Sequence, residues 1–184
     1  MCSGGPVKSL VSPDVVHGER LLHGGPPTSE CRTVVFDFDG VMAEGFQGEV
    51  RPRPLGVALA RRLIGRGYRV YVVSGRPEQE RSLIARLLRE WCIPLGGVRG
   101  IILRRRGVGE VDHKLESIME VEAREGCVRE VHDDNPYVLE ALRRRVETLV
   151  LHTPNGCEVL KGKPAEPCTA QAGWNPWEGP TPQC

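Results

Sequence analysis

Residues 33–41 read Thr-Val-Val-Phe-Asp-Phe-Asp-Gly-Val, and the fold follows from this stretch. The β-branched and aromatic run over 33–37 predicts a buried strand. Asp37 and Asp39, two apart in extended chain at its carboxyl end, point the same way, and Gly40 allows the chain to turn sharply away. The same punctuation recurs downstream. A helix is expected over 54–66, with Pro54 at its first position and Gly67 ending it. A strand follows over 69–74 (RVYVVS), then a helix over 77–92 with Leu83, Ile84, Leu87, Leu88 and Trp91 on one face. The pattern continues with a strand over 100–103, a helix over 112–123, a strand over 128–132, a helix over 136–145 and a strand over 147–152. Such alternation with short connections predicts a doubly wound, Rossmann-like α/β fold, with a parallel five-stranded sheet and helices on both faces. Ligands of such sheets bind at the carboxyl ends of the strands.

The chain has 184 residues, with 40% hydrophobic and 27% charged, and this excludes a disordered chain, a coiled coil or a collagen-like fibre. The expected organisation is a flexible lead-in over 1–30, one domain over 31–158 and a loose Pro/Gly-rich tail over 159–184 that holds Trp174 and Trp177. A short ordered piece is expected around residues 15–22. The formal net charge of +1 is not that of a protein that binds nucleic acid by bulk charge. Of the 25 basic residues, 21 are Arg and four are Lys, so each lysine is worth examining. No apolar run approaches the ~18 residues of a membrane span, and the first residues lack the apolar core of a signal peptide. Seven cysteines, odd in number and widely spaced, predict reduced thiols and a cytoplasmic protein; a Cys157–Cys168 bridge is left open.

Four groups of residues fall at expected strand ends. Asp37 and Asp39 follow the first strand. Ser74, Gly75 and Arg76 follow the second, where a hydroxyl and backbone N–H groups at a helix start would cradle a phosphate; an ordinary serine cap reads the same way. Lys114 sits in the expected first turn of a helix, a poor place for a cation against the helix dipole. Asp133 and Asp134 follow the fourth strand, and such hard oxygen donors suit Mg²⁺. His113, His132 and His152 lie close by in sequence, but Mg²⁺ prefers oxygen. Each group has a bland reading as a cap or solvated residue, yet the fold would bring all four to one rim.

These residues, FDFDGV at 36–41, VVSGR at 72–76, Lys114 and VHDDN at 131–135, resemble the motifs of the haloacid dehalogenase (HAD) superfamily of phosphohydrolases. The resemblance implies a HAD-like phosphatase that forms an aspartyl-phosphate. Asp37 would be the nucleophile, and Asp39 the general acid and then base. Ser74 would bond a phosphoryl oxygen, and Lys114 would neutralise charge on the phosphoryl group and Asp37. Mg²⁺ would be held by Asp37, the backbone carbonyl of Asp39, Asp133 and Asp134. Dehalogenases of the superfamily lack the second aspartate. Val41 stands where many members have Thr, which removes one polar contact.

The two positions where the superfamily inserts caps are short, 42–53 and 104–111, so no cap domain is expected. An open rim accepts a phosphate at the end of a large molecule, or a small substrate if another subunit closes the site. Arg76, Arg104, Arg105 and Arg106 are the candidate phosphate-pairing residues, together with Gly75. Within the superfamily the chain looks most like the 3′-phosphatase domain of polynucleotide kinase-phosphatases. The likeness lies in the Arg-Pro-Arg-Pro stretch at 51–54, the Gly-Tyr-x-Val-x-Val-Val-Ser-Gly-Arg stretch at 67–76 and Ile-Pro-Leu at 93–95. No phosphate-binding P-loop is present, so no kinase half is expected. Polynucleotide 3′-phosphate ends are one expected substrate and a small phosphometabolite the other. A non-catalytic binding module is a third reading, disfavoured because no motif residue is missing. The sequence leaves the oligomeric state open.

Overall fold

The computed structural model describes residues 30–45 and 49–168. The ordered piece expected at 15–22, and Trp174 and Trp177, lie outside them. In chain order the elements are β1 (Thr33–Asp37), β2 (Ala43–Glu44), β3 (Arg51–Pro52), α1 (Pro54–Gly65), β4 (Arg69–Pro77), α2 (Arg81–Glu90), β5 (Val98–Arg104), α3 (Glu110–Glu125), β6 (Glu130–Asp133), α4 (Pro136–Leu142), β7 (Thr148–Thr153) and β8 (Gly156–Lys161). The main sheet runs β5-β4-β1-β6-β7-β8. Its first five strands are parallel and β8 is antiparallel to β7.

The expected five parallel strands are there, and β8 adds a sixth. That strand straddles residue 159, where the tail is expected to start, and its polar, part-exposed residues carry no buried-strand pattern. Val34, Phe36, Val70 and Val72 face α1 and α2 through Val57, Leu59, Leu63, Ile84 and Leu88. Val35, Tyr71 and Val73 face α3 and α4 through Ile118, Val121, Val138, Leu139 and Leu142. Alternation along β1 thus feeds two cores. Phe36 and Phe38 are fully buried, each worth about 1.5–3 kcal/mol. Phe38 also stacks on Trp91, with centroids 5.7 Å apart. The chain winds from β1 out to β5 and returns to β6 on the other side of β1, so the order reverses between β1 and β6. In sheets of this kind the ligand crevice lies at such a reversal, at the strands' carboxyl ends.

Two element boundaries differ from expectation. The second strand does not stop at Ser74 but runs to Pro77, and α2 begins only at Arg81 after one 3₁₀ turn. Pro77 keeps Arg76 extended, and Pro77 pairs in register with Arg104. Ser74 therefore sits within a strand, without a helix N-terminus beside it. Helix α3 begins two residues earlier than expected, at Glu110, so Lys114 lies in its second turn.

The polar part of the sheet has its own cover. On the α1 side, β6 and β7 carry Glu130, His132 and His152, all buried. His132 Nε2 lies 2.6 Å from Glu130 Oε1, and its Nδ1 lies 2.9 Å from His152 Nε2. Residues 162–168 are tied here. Ala165 N donates to Glu130 Oε2 at 2.8 Å, and Glu166 pairs with Arg66 at 2.6 Å. Two disulfides join pairs of described residues: Cys157–Cys168, the bridge left open by the sequence, fastens this segment to β8, and Cys31–Cys127, where thiols are expected, ties the residues leading into β1 and β6. The second pair, 96 residues apart in sequence, follows from parallel pairing. Val34 faces Glu130, and three residues back along both chains Cys31 faces Cys127. Among the described residues no helix is long and apolar enough to cross a membrane.

Candidate functional site

Asp37 is the last residue of β1 and Asp133 the last of β6, so parallel pairing sets both carboxylates at the crevice. Both are buried, with Asp134 beside them. One oxygen from each of Asp37, Asp133 and Asp134 lies within 4.8 Å of the others. Lys114 reaches up from α3 and is itself 1% exposed. Its Nζ stands 2.6 Å from Asp37 Oδ1 and 2.9 Å from Asp133 Oδ2. The backbone completes the shell: Phe38 N donates to Asp37 Oδ1 at 2.7 Å, and Asn135 N donates to Asp133 Oδ1 at 2.9 Å.

The electrostatics are unbalanced. Two buried carboxylates and the exposed one of Asp134 against one ammonium leave a formal charge of about −2, and its buried part costs free energy unless a cation compensates. Burial pushes the Asp37 pKa well up; Lys114 opposes that shift, while Asp133 and Asp134 add to it. Burial, then Asp133, raises Asp134 as well. Burial works against the charge of Lys114, but Asp37 and Asp133 outweigh it and hold the ammonium charged. A hard divalent cation fits this donor set in charge and ligand type, so the residues present suit Mg²⁺.

Asp39 is placed differently. Its carboxylate is turned toward β4, where Ser74 Oγ donates to Oδ2 at 3.2 Å. Arg76 Nε lies 3.0 Å from both oxygens and Nη2 lies 2.7 Å from Oδ1. Ser74 Oγ also accepts from Arg76 N at 3.1 Å. A Cβ on Gly75 would meet nothing within 4 Å, so the space beside Ser74 is open. Arg104, Arg105 and Arg106 are exposed at the end of β5, two strands from Asp37 in the sheet order. His113 Nε2 lies 3.0 Å from Ser74 O, and burial, then the Lys114 and Arg104 charges, lower the His113 pKa. The structure thus brings Asp37, Lys114, Asp133 and Asp134 into one cluster and Asp39, Ser74 and Arg76 into a second beside it.

The sequence places Arg53 only in a basic rim and His113 only beside Lys114; in the structure both bear on the site. Arg53 Nη1 donates to Gly40 O and Nη2 to Thr153 O, which ties the turn after Asp39 to the end of β7. His113 supports Ser74 from below. Their signal was only adjacency, Arg53 within the Arg-Pro-Arg-Pro stretch and His113 beside Lys114. The two cap positions hold the short ribbon β2–β3 and the five residues between β5 and α3, so the crevice carries no cap domain among the described residues.

No protein-family model and no curated protein matches the chain. Among solved structures it is similar to a Vibrio cholerae protein described as a "putative 3-deoxy-D-manno-octulosonate 8-phosphate phosphatase". The identity is 17% and the TM-score 0.38, over 59% of this chain and 60% of that one. The match therefore spans less than two thirds of that neighbour's length.

Proposed function

We propose that the chain is a phosphoric monoester hydrolase of the HAD type that works through an aspartyl-phosphate on Asp37. The observation that carries this reading is Lys114 Nζ bridging Asp37 and Asp133 at the crevice where the strand order reverses. An Asp37 oxygen attacks phosphorus, the ester P–O bond breaks, and Asp39 gives its proton to the leaving oxygen. Water then attacks the same phosphorus, Asp39 takes its proton, and phosphate leaves with Asp37 restored. Lys114 and the Ser74 hydroxyl bind phosphoryl oxygens. Asp37, Asp133, Asp134 and the Asp39 carbonyl would hold Mg²⁺, which when bound supplies the positive charge that lets carboxylate and phosphate approach.

The substrate side of the proposal is a phosphate at the exposed end of a larger molecule, a polynucleotide 3′ end being the first to test. The uncapped crevice and the exposed run Arg104–Arg106 support it. A small phosphometabolite is the second reading, and one observation favours it. A cavity of about 470 Å³ along the edge strand β5 is lined by Arg81, Arg104, Arg105 and Arg124, but Arg81 pairs with Glu78 and Arg124 with Glu120. Half of that basic lining is neutralised within the chain.

The test is phosphate release, with and without Mg²⁺, from 3′- and 5′-phosphorylated oligonucleotides, a mononucleotide and a sugar phosphate, with Asp37→Asn protein as the blank. Mg²⁺-dependent release that the blank lacks is expected. Release that persists in the blank would remove Asp37 as nucleophile. Silence on every substrate would favour a binding module.

A further inference from the structure

Arg76 lies where a phosphate-binding arginine is expected, directly after Ser74-Gly75, yet its donors are taken. Nε and Nη2 clasp Asp39, Nη1 lies 2.8 Å from Glu80 Oε2, and Nη2 is 3.4 Å from Gly45 O. The guanidinium lies 5.3 Å from the Phe38 ring centroid, and the residue is 7% exposed. Asp39 keeps a side chain 42% exposed on its other side. A planar fork held at its far end by Glu80 can fix a carboxylate in one orientation, which a single ammonium cannot do.

We infer that Arg76 is a positioning residue. It holds the Asp39 carboxylate in a fixed orientation at the crevice mouth and does not bind the substrate phosphate. This rests on the phosphatase reading above and deepens it. The chain of contacts runs Glu80–Arg76–Asp39–Ser74, so the 3₁₀ turn before α2 and the ribbon residue Gly45 both bear on where the proton donor points. Proton transfer needs the donor within hydrogen-bond reach of the leaving oxygen, and a carboxylate free to swing spends most of its time elsewhere.

The two roles predict different kinetics. Asp39 acts twice, as acid when the ester bond breaks and as base when the shared aspartyl-phosphate is hydrolysed. A p-nitrophenyl leaving group needs no proton, whereas an alkyl oxygen does. If Arg76 positions Asp39, Arg76→Lys lowers kcat for p-nitrophenyl phosphate with KM falling alongside, so that kcat/KM stays within about threefold. For an alkyl phosphate, kcat/KM falls by about 10–100-fold, part of what a general acid supplies. Asp39→Asn shows the same pattern more strongly. Glu80→Gln, which loosens the clasp from its far end, shows it more weakly. A raised KM with kcat/KM reduced equally on both esters, in Arg76→Lys or in Glu80→Gln, would make Arg76 a substrate ligand and overturn the inference. So would an unchanged leaving-group dependence in a variant that melts like the wild type. Wild-type protein inactive on both esters would overturn the phosphatase reading, and the positioning role with it.

Discussion

A Cβ placed on Gly40 would stand 1.9 Å from Asp134 Oδ2 and 2.3 Å from its Cγ. Gly40, at a φ of +72°, is glycine both for its backbone and for the room it leaves that carboxylate. Gly40→Ala would push Asp134 out of the cluster with Asp37 and Asp133, and would add about 1–2 kcal/mol of left-handed strain. The expected outcome is a half-saturating Mg²⁺ concentration raised by about 10–100-fold, the usual cost of disturbing a metal site's surroundings. A Mg²⁺ titration of phosphate release measures this. An unchanged titration would leave Asp134 without a role at the metal.

Among the described residues, Lys114 is the single ammonium beside the three acids. Lys114→Met should abolish turnover and lower stability by about 3–5 kcal/mol, the cost of orphaning buried charges. Added Mg²⁺ should recover part of that loss, because a divalent cation answers the same excess of charge. Asp37→Asn removes one of the crowded carboxylates, so turnover should fall by at least about three orders of magnitude while the melting temperature holds or rises. Denaturation followed with and without Mg²⁺ compares the two. A Lys114→Met protein as stable as the wild type would mean the acids are already neutral.

Stability should also fall with acid in a way that His152 sets. Burial, then His132 and Arg53, lowers its pKa from 6.5 to about 3. Above pH 6.5 neither folded nor unfolded chain carries that proton, so the residue adds no pH dependence. As pH falls toward 3, the unfolded chain binds a proton that the folded chain refuses, and stability drops by up to about 1.4 kcal/mol per pH unit. Melting temperatures at pH 7, 6 and 5 should fall more steeply for the wild type than for His152→Gln. Parallel curves would show that His152 titrates normally in the fold.

The disulfides give a redox dependence. Cys31–Cys127 closes a long loop, and removing such a bridge costs about 2–4 kcal/mol. Cys31→Ser should therefore lower the melting temperature of non-reduced protein by several degrees and make it less sensitive to reductant. Cys157→Ser should leave the α/β core intact but speed hydrogen exchange at Ala165 N, which bonds Glu130. Wild-type melting unaffected by reductant would mean neither bridge contributes.

Arg104, Arg105 and Arg106 separate the two substrate readings. Replacing all three with alanine should raise KM at least about tenfold for a 3′-phosphorylated oligonucleotide, since each lost phosphate contact weakens binding, and should leave a small aryl phosphate nearly unaffected. The oligonucleotide effect should shrink at high salt. Equal changes on both substrates would remove the polymer from the proposal.

The order of elements and the residues at the strand ends were legible in the sequence, because both are local. Runs such as TVVFD and RVYVVS announce buried strands, and glycine and proline mark their limits. Asp37, Asp39, Ser74, Asp133 and Asp134 stand out because each ends such a run or follows it closely. The sheet's sixth strand was obscured by a polar, half-exposed pattern at a boundary. The late start of α2 was obscured by Pro77, which reads equally as a helix start or a strand end.

What the tertiary structure alone decided are the relations between residues far apart in the chain. Strand order places β1 between β4 and β6, and neither periodicity nor spacing encodes strand order. From that order follow the Cys31–Cys127 bridge and the buried line Glu130–His132–His152. The direction of Arg76 is of the same kind. The sequence puts an arginine after Ser74, but only the extension of β4 to Pro77, and Glu80 at the far side, turn its guanidinium onto Asp39.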